Sequence, residues 1–192
     1  PLVTIQVQDM IEIRPIGTNH AAQLATLQAD TFRQAYSDVH SSEDIEAYCL
    51  THYVTEVAAM DLSLEETVCC MGLLDSRPSG YYMVKHRACP IALDDKSSEL
   101  KQIYVLSSAY GRGLGQALFD HAIATVRSSG SEWIWLCVSD INYRAQAFYR
   151  KLKFAKIGIG PVLKVGKDNL SSSILAKDLR DLPFGRNEAK ER

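Results

Sequence analysis

The chain has 192 residues, of which 46% are hydrophobic and 23% charged, and its formal net charge at pH 7 is −2. This composition predicts one soluble globular domain, and the near-neutral charge without a basic stripe argues against a nucleic-acid partner. No apolar run approaches the roughly 18 residues that a membrane helix needs, and residues 1–10 lack the basic and apolar segments of a secretory signal. We therefore expect a cytoplasmic protein with no membrane partner.

The first half of the chain predicts a strand, two or three helices and a hairpin. Residues 11–14 alternate apolar and polar side chains, which is typical of an edge strand. Thr18 or Asn19 is a candidate cap for a helix that runs through Phe32, a second helix begins near Ser42, and residues 55–62 form a weaker third. Residues 67–73 and 80–85 then predict a β-hairpin with its turn over residues 75–80.

The second half predicts alternating strands and helices. A strand over residues 99–106 precedes a helix over 113–127, whose inner side carries Leu114, Leu118, Ala122 and Val126. A buried strand follows at 133–138, then a helix capped by Asn142, and closing strands at 154–159 and 170–176. We expect a single domain over residues 1–180 and a mobile tail over 181–192. The pattern by itself indicates an α/β or α+β fold.

Cysteine and histidine spacing gives no sign of a metal site. The five histidines show no ligand pattern such as H-E-x-x-H, so we expect no metal. The cysteines are odd in number and include no C-x-x-C, which predicts buried free thiols in a reducing compartment; they are Cys49, Cys69, Cys70, Cys89 and Cys137.

Acidic residues are concentrated in one segment. Residues 34–76 contain nine carboxylates and no lysine or arginine. Such a block creates a local negative field that would attract a cationic substrate. The alternative is a set of solvated helix faces without a binding role.

A glycine-rich turn, YGRGLGQ at residues 110–116, joins the strand at 99–106 to the following helix. Three alternating glycines allow the backbone to approach a ligand closely, and the start of the helix offers unpaired N–H groups to an anion such as a phosphate. The spacing matches neither a Walker loop nor a dinucleotide fingerprint. An ordinary strand-to-helix turn is the alternative.

These elements, together with the later N-x-x-A-x-x-F-Y-x-x-L-x-F over residues 142–154, resemble the GNAT superfamily of N-acetyltransferases. The resemblance covers about residues 11–180 and is strongest from 99 to 154. It implies a mixed, mostly antiparallel central sheet with helices on both faces. The chain departs from the family pattern at two positions, since Tyr110 replaces a Gln or Arg and Lys153 replaces a Gly.

The resemblance also implies that acetyl-CoA is the co-substrate. The glycine loop would bind its pyrophosphate, the strand before the loop would bind the pantetheine arm, and the helix after Asn142 would contact that arm from the other side. The implied cofactor-binding residues are Ile103, Tyr104, Val105, Tyr110, Gly111, Arg112, Gly113, Leu114, Gly115, Gln116, Asn142, Ala145 and Tyr149.

Two residues take catalytic roles under this resemblance. Glu99 matches the position of a general base that commonly acts through water, and Tyr149 matches the tyrosine that donates a proton to the CoA sulfur. From the residues alone, the favoured interpretations are a solvated side chain for Glu99 and a core aromatic on an amphipathic helix for Tyr149.

The acceptor is the least defined part of the reaction. Phe32, Tyr36 and Tyr48 are predicted to line its site, with core packing as the alternative. The chain is similar to the bacterial polyamine-type acetyltransferases, which implies direct attack by a small, cationic primary amine in a ternary complex. A protein or peptide N-acetyltransferase and a non-catalytic acyl-CoA-binding protein remain the alternatives, and the enzyme is expected to be a monomer or a homodimer.

Overall fold

The computed structural model describes residues 10–91, 93 and 96–180. The tail predicted over residues 181–192 lies outside the described residues, and the domain boundaries stay a prediction. The helices are α1 (Ala21–Tyr36), α2 (Ser42–His52), α3 (Thr55–Ser63), α4 (Leu114–Ser128) and α5 (Tyr143–Lys151). The strands are β1 (Ile11–Pro15), β2 (Thr67–Leu74), β3 (Arg77–Lys85), β4 (Ser97–Val105), β5 (Trp133–Ser139), β6 (Ala155–Ile159), β7 (Leu163–Val165), β8 (Asp168–Leu170) and β9 (Ser172–Asp178).

Seven of these strands form one sheet in the order β1-β2-β3-β4-β5-β9-β6. Every neighbouring pair is antiparallel except β4 and β5, which are parallel. This confirms the mixed, mostly antiparallel sheet, and β1 lies at an edge as predicted. The short strands β7 and β8 form a separate hairpin that the sequence analysis missed, because three-residue strands are too short to show alternation.

Helices cover both faces of the sheet, as predicted. On one face, α4 and α5 enclose an apolar core, and Leu114, Leu118, Ala122 and Val126 are fully buried in it. On the other face, α1 and α3 pack over a second core that includes Leu24, Tyr81 and Met83. The spacing of apolar residues along α4 therefore identified its inner side correctly.

A bulge in β4 sets which side chains face α1. Met83 pairs with Gln102 and Val84 pairs with Leu100, so Lys101 is an extra residue without a partner on β3. The bulge shifts by one residue the alternation of β4 side chains between the two faces of the sheet. Leu100 belongs to the α4 core, whereas Tyr104 packs in the α1 core and Gln102 accepts a hydrogen bond from Gln28 of α1 at 2.8 Å.

Two local predictions were wrong. The turn between β2 and β3 consists of Asp75 and Ser76, which both have positive φ angles of 49° and 66°, rather than six residues. Pro78 lies inside β3 beside a register irregularity, where the missing N–H is tolerated. Neither Thr18 nor Asn19 caps α1, since both lie in a 3₁₀ turn and the helix begins after it without a side-chain cap.

Candidate active site

The sheet opens between its two parallel strands. β4 and β5 pair over three residues, ending at Glu99 opposite Trp135. Beyond this point β4 continues along β3 and β5 continues along β9 to Ser139, so the two strands separate and their facing backbone groups have no strand partner. A cavity of about 480 Å³ lies at this gap, within the range of small-ligand sites.

Three buried polar atoms point to a ligand in this cavity. Gln28 Oε1 and Ser139 Oγ have no hydrogen-bond partner among the described residues, and Glu99 Oε2 is held there only by an ion pair with Arg87. All three residues line the cavity and are more than nine-tenths buried. Because buried polar groups in folded proteins are nearly always paired, this arrangement indicates that a polar ligand completes them.

The glycine loop lies beside the start of α4. Gly111 and Gly113 have φ angles of 75° and 84°, which favour glycine, and an added Cβ at Gly111 would meet no described atom within 4 Å. No side chain caps α4 and its first turn carries no acidic residue, whereas Ser41 caps α2 and Asn142 caps α5. The first N–H groups of α4 are therefore available to an anion.

Two arginines flank this loop. Arg112 forms an ion pair with Asp75 at 2.8 Å. The guanidinium of Arg144, on α5, lies 3.4 Å from the centre of the Tyr110 ring, so a cation–π contact links α5 to the first residue of the loop. This role of Arg144 could not be predicted from the sequence, because the two residues are 34 positions apart and no spacing rule connects them.

Tyr149 is buried between aromatic rings and reaches the cavity from α5. Its ring lies 5.5 Å from those of Phe148 and Phe154, and burial raises the pKa of its hydroxyl, which therefore stays protonated at neutral pH. Asn142 and Ala145 line the same side of the cavity. Asn142 Oδ1 also accepts the Ala145 N–H at 3.0 Å, which confirms the predicted helix cap.

Glu99 is 3% exposed and is therefore not a solvated side chain. Its Oε2 lies 2.6 Å from Nη2 of Arg87, and the two side chains form an ion pair. Arg87 lies 5.8 Å from the centre of the Trp135 ring, and its carbonyl oxygen accepts a hydrogen bond from Trp135 Nε1 at 3.2 Å.

Aromatic side chains from α1 and α2 form the opposite wall. The ring centres of Phe32 and Tyr36, and those of Phe32 and Tyr48, are 4.5 Å apart, and all three residues line the cavity. Burial raises the pKa of Tyr36, while contacts with the side chains of Asn142, Ser139 and Tyr104 oppose that shift. The three predicted acceptor-site residues are therefore together, and Phe32 and Tyr36 are also packed in the core.

The hairpin β7–β8 supports this aromatic wall. Val165 of β7 is fully buried in the same cluster as Phe32 and Tyr36. His40 Nδ1, in the loop between α1 and α2, lies 3.1 Å from Asp168 Oδ2 of β8. Pro161, Val162 and Leu163, which lead into the hairpin, line the cavity.

The acidic segment is mostly directed away from the cavity. Of its nine carboxylates, all within the described part of the chain, Asp61 lines the cavity, and its charge is matched by Lys85 at 2.7 Å. Glu46 pairs with Arg33 and Asp75 with Arg112. The expectation that part of the segment faces the pocket therefore holds for one residue.

The remaining expectations from the sequence concern the thiols, metal binding and membrane-spanning helices. All five cysteines are free thiols, but contrary to the prediction Cys89 is only partly buried and Cys137, on β5 beside the gap, is exposed. No group of three or more His, Cys, Asp or Glu side chains in the described ranges is arranged to hold a metal. Among the helices of those ranges, none has the length and apolarity to cross a membrane.

The tyrosines predict an alkaline limit to stability. Burial raises the pKa of seven of them above the usual value, so they stay neutral in the folded protein when the unfolded chain ionises at about pH 10. The folded state then binds more protons, and the free energy of unfolding should fall as pH rises above about 10. Urea unfolding at pH 8 to 11, with tyrosinate absorbance at 295 nm, measures this. Full ionisation before unfolding would contradict the burial of Tyr36, Tyr48, Tyr53, Tyr81, Tyr82, Tyr104 and Tyr149.

Comparison with known proteins gives consistent matches. The profile of the Acetyltransferase (GNAT) family matches residues 22–154. An uncharacterized N-acetyltransferase of Mycobacterium tuberculosis is 28% identical over 159 residues, which cover 83% of this chain and 97% of the relative. The crystal structure of a PaiA N-acetyltransferase from Thermoplasma acidophilum, in complex with coenzyme A, has a TM-score of 0.71 at 21% identity and covers 88% of this chain and 99% of that one. The ribosomal-protein-S18-alanine N-acetyltransferase of Escherichia coli has a TM-score of 0.60 at 18% identity, covering 91% and 100%.

Proposed function

Since the chain belongs to the Acetyltransferase (GNAT) family and is an acetyl-CoA-dependent N-acetyltransferase, we propose that it acetylates the primary amine of a small molecule bound in the cavity beside β4. The observation that carries this proposal is the set of buried polar atoms without partners that line the cavity. Their residues line the same cavity as the aromatic wall and the gap in the sheet, where an acceptor would meet the thioester.

The cofactor would lie in the gap between β4 and β5. Its pyrophosphate would accept hydrogen bonds from the N–H groups at residues 113–116, because α4 begins there without a cap, whereas the Arg112 N–H donates to the Ala109 carbonyl oxygen. The pantetheine arm would follow Ile103, Tyr104 and Val105 on one side and Asn142 and Ala145 on the other. Arg144, held over Tyr110, places a further positive charge beside the same loop.

The reaction requires two proton movements. The acceptor ammonium would give one proton to Glu99, directly or through water, and the free amine would attack the acetyl carbon. As the C–N bond forms and the C–S bond breaks, the electron pair of the C–S bond leaves with the CoA sulfur. The nitrogen then loses its second proton, the sulfur gains one to become the thiol, and Glu99 releases its proton to water.

Tyr149 would act on the departing sulfur. The raised pKa of its buried hydroxyl lies above the thiol pKa of roughly 8 to 9, so complete proton transfer from this hydroxyl is unfavourable. We therefore assign it a hydrogen bond to the developing thiolate, which stabilises charge that appears only in the transition state. Water can deliver the proton afterwards.

The acceptor end favours a small molecule over a peptide. The helices α1 and α2 and the hairpin β7–β8 pack together there, and peptide acetylation would require an open groove. The predicted polyamine receives little support, because Asp61 and Glu99 are each paired with a cation. Aromatic faces can bind an ammonium group without a carboxylate, so a singly charged amine fits this wall better.

Thiol release from acetyl-CoA, measured over amino acids, aliphatic and aromatic amines, polyamines, aminoglycosides and peptides, tests the proposal. We expect acceptor-dependent release with at least one small primary amine, and formation of the N-acetyl product. Activity on peptides alone would favour the peptide alternative. Coenzyme A binding without turnover of any acceptor would favour the non-catalytic one.

The loop placement predicts that Gly111→Ala weakens coenzyme A binding. An alanine at φ 75° is strained by about 1 to 2 kcal/mol, so the loop must shift and the dissociation constant should rise about tenfold. Gly130→Ala is the matched control, because Gly130 has a φ of 83° and, like Gly111, no described atom within 4 Å of an added Cβ. Equal coenzyme A affinities of the two variants, measured by calorimetry, would contradict the placement of the pyrophosphate at this loop.

The role of Tyr149 predicts a loss of turnover in Tyr149→Phe. The ring and its packing are kept and the donor is lost, so kcat should fall by about 10²-fold while coenzyme A affinity changes little. Tyr143→Phe, an exposed position on the same helix, is the control. Single-turnover rates separate chemistry from product release, and an unchanged chemical rate in Tyr149→Phe would make its hydroxyl purely structural.

A further inference from the structure

The cavity contains a salt bridge whose cation remains accessible to a ligand. Arg87 and Glu99 are ion-paired at 2.6 Å in its wall. The two partners differ in access, since the side chain of Arg87 is 49% exposed while that of Glu99 is 4% exposed. This pair of a half-exposed cation and a buried carboxylate presents two opposite charges side by side to whatever occupies the cavity.

The remaining charges of the cavity leave no negative excess. Asp61 is matched by Lys85 at 2.7 Å and Glu99 by Arg87. Lys101, the extra residue of the β4 bulge, also lines the cavity, and no carboxylate among the described residues pairs with it. The lining therefore holds two carboxylates and two cations, and Lys85, which pairs with Asp61, adds a third cation. A site without a net negative charge does not attract a polycation.

We propose that the acceptor is a zwitterion that carries a carboxylate next to its primary amine, as an α-amino acid does. This inference rests on the proposed function and identifies the chemical class of its substrate. The Arg87 guanidinium binds the carboxylate of the acceptor, because its planar donors match carboxylate geometry. Glu99 Oε2 accepts a hydrogen bond from the ammonium group and then takes its proton.

The surroundings of the pair hold this arrangement in place. Trp135 Nε1 donates to the carbonyl oxygen of Arg87, and the guanidinium faces the Trp135 ring, so Arg87 is oriented before the acceptor binds. Lys101 adds positive charge on the same strand as Glu99. The aromatic wall formed by Phe32, Tyr36 and Tyr48 then contacts the rest of the acceptor. Arg87, and secondarily Lys101, therefore determine specificity.

The test begins with the acceptor that has the highest kcat/KM in the thiol-release screen. That acceptor is compared with its carboxamide and with its decarboxylated amine; for phenylalanine, these are phenylalaninamide and phenethylamine. We expect the carboxylate form to be preferred by at least about tenfold, since a charge-assisted bidentate contact is lost in both analogues. A best acceptor without an adjacent carboxylate, or equal rates for the three forms, overturns the inference.

Variants assign the preference to a residue. Arg87→Gln should raise KM for the carboxylate form and abolish its advantage over the amine. Arg87→Lys keeps the charge beside buried Glu99, so it tests the assignment even if Arg87→Gln fails to fold, and it should reduce the advantage of the carboxylate form. Lys101→Gln should reduce that advantage less. Arg180→Gln is the matched control, because Arg180 also faces a tryptophan of β5 and pairs with a carboxylate. A preference unchanged in both Arg87→Lys and Lys101→Gln overturns the assignment.

The outcomes separate this inference from the proposed function. Turnover of amines that lack a carboxylate, at rates above those of amino acids, rejects the zwitterion and leaves small-molecule acetylation intact. Absence of acceptor-dependent thiol release over the whole screen, with coenzyme A bound, rejects both.

Discussion

The parallel contact between β4 and β5 ends after three residue pairs, and the position of every site residue depends on that separation. Each strand is held on its other side by a longer antiparallel ladder, to β3 and to β9, so the gap is fixed by the sheet itself and not by a mobile loop. Its facing backbone groups and its cavity exist before any ligand binds. Such preorganisation lowers the cost of positioning a thioester and an amine together.

The two sides of this gap meet different physical demands. Beside the glycine loop, α4 is anchored by fully buried apolar residues, which allows its N-terminus to remain uncapped. In the cavity wall, burial of the Glu99 carboxylate requires a nearby cation, and Arg87 supplies it while staying half open to the cavity. The same ion pair therefore stabilises a buried carboxylate and leaves a cation open to the cavity. The bulge at Lys101 lies two residues after Glu99, so β4 carries the buried carboxylate and then leads to the glycine loop before α4.

Local patterns in the sequence predicted the elements with strong periodicity. The inner side of α4 and the Asn142 cap follow from the spacing of neighbouring residues, and the glycine loop follows from three residues in a short segment. The pairs Arg87 with Glu99, Asp61 with Lys85, and Gln28 with Gln102 could not be predicted, because strand register and helix docking create them between residues 12 to 74 positions apart. The same reason hid Arg144 beside Tyr110.

Two departures from the family pattern show why a motif residue and its physical role must be considered separately. Lys153 replaces a glycine yet keeps a left-handed φ of 65°, which costs about 1 to 2 kcal/mol. The turn is retained because Phe154, directly after it, packs against Phe119 and Tyr149 with ring centres 5.9 and 5.5 Å apart. At Tyr110, where the pattern has a polar or cationic side chain, Arg144 brings a guanidinium to the ring from the neighbouring helix. At both positions the motif residue is replaced, and contacts between residues that are distant in the sequence maintain the local structure.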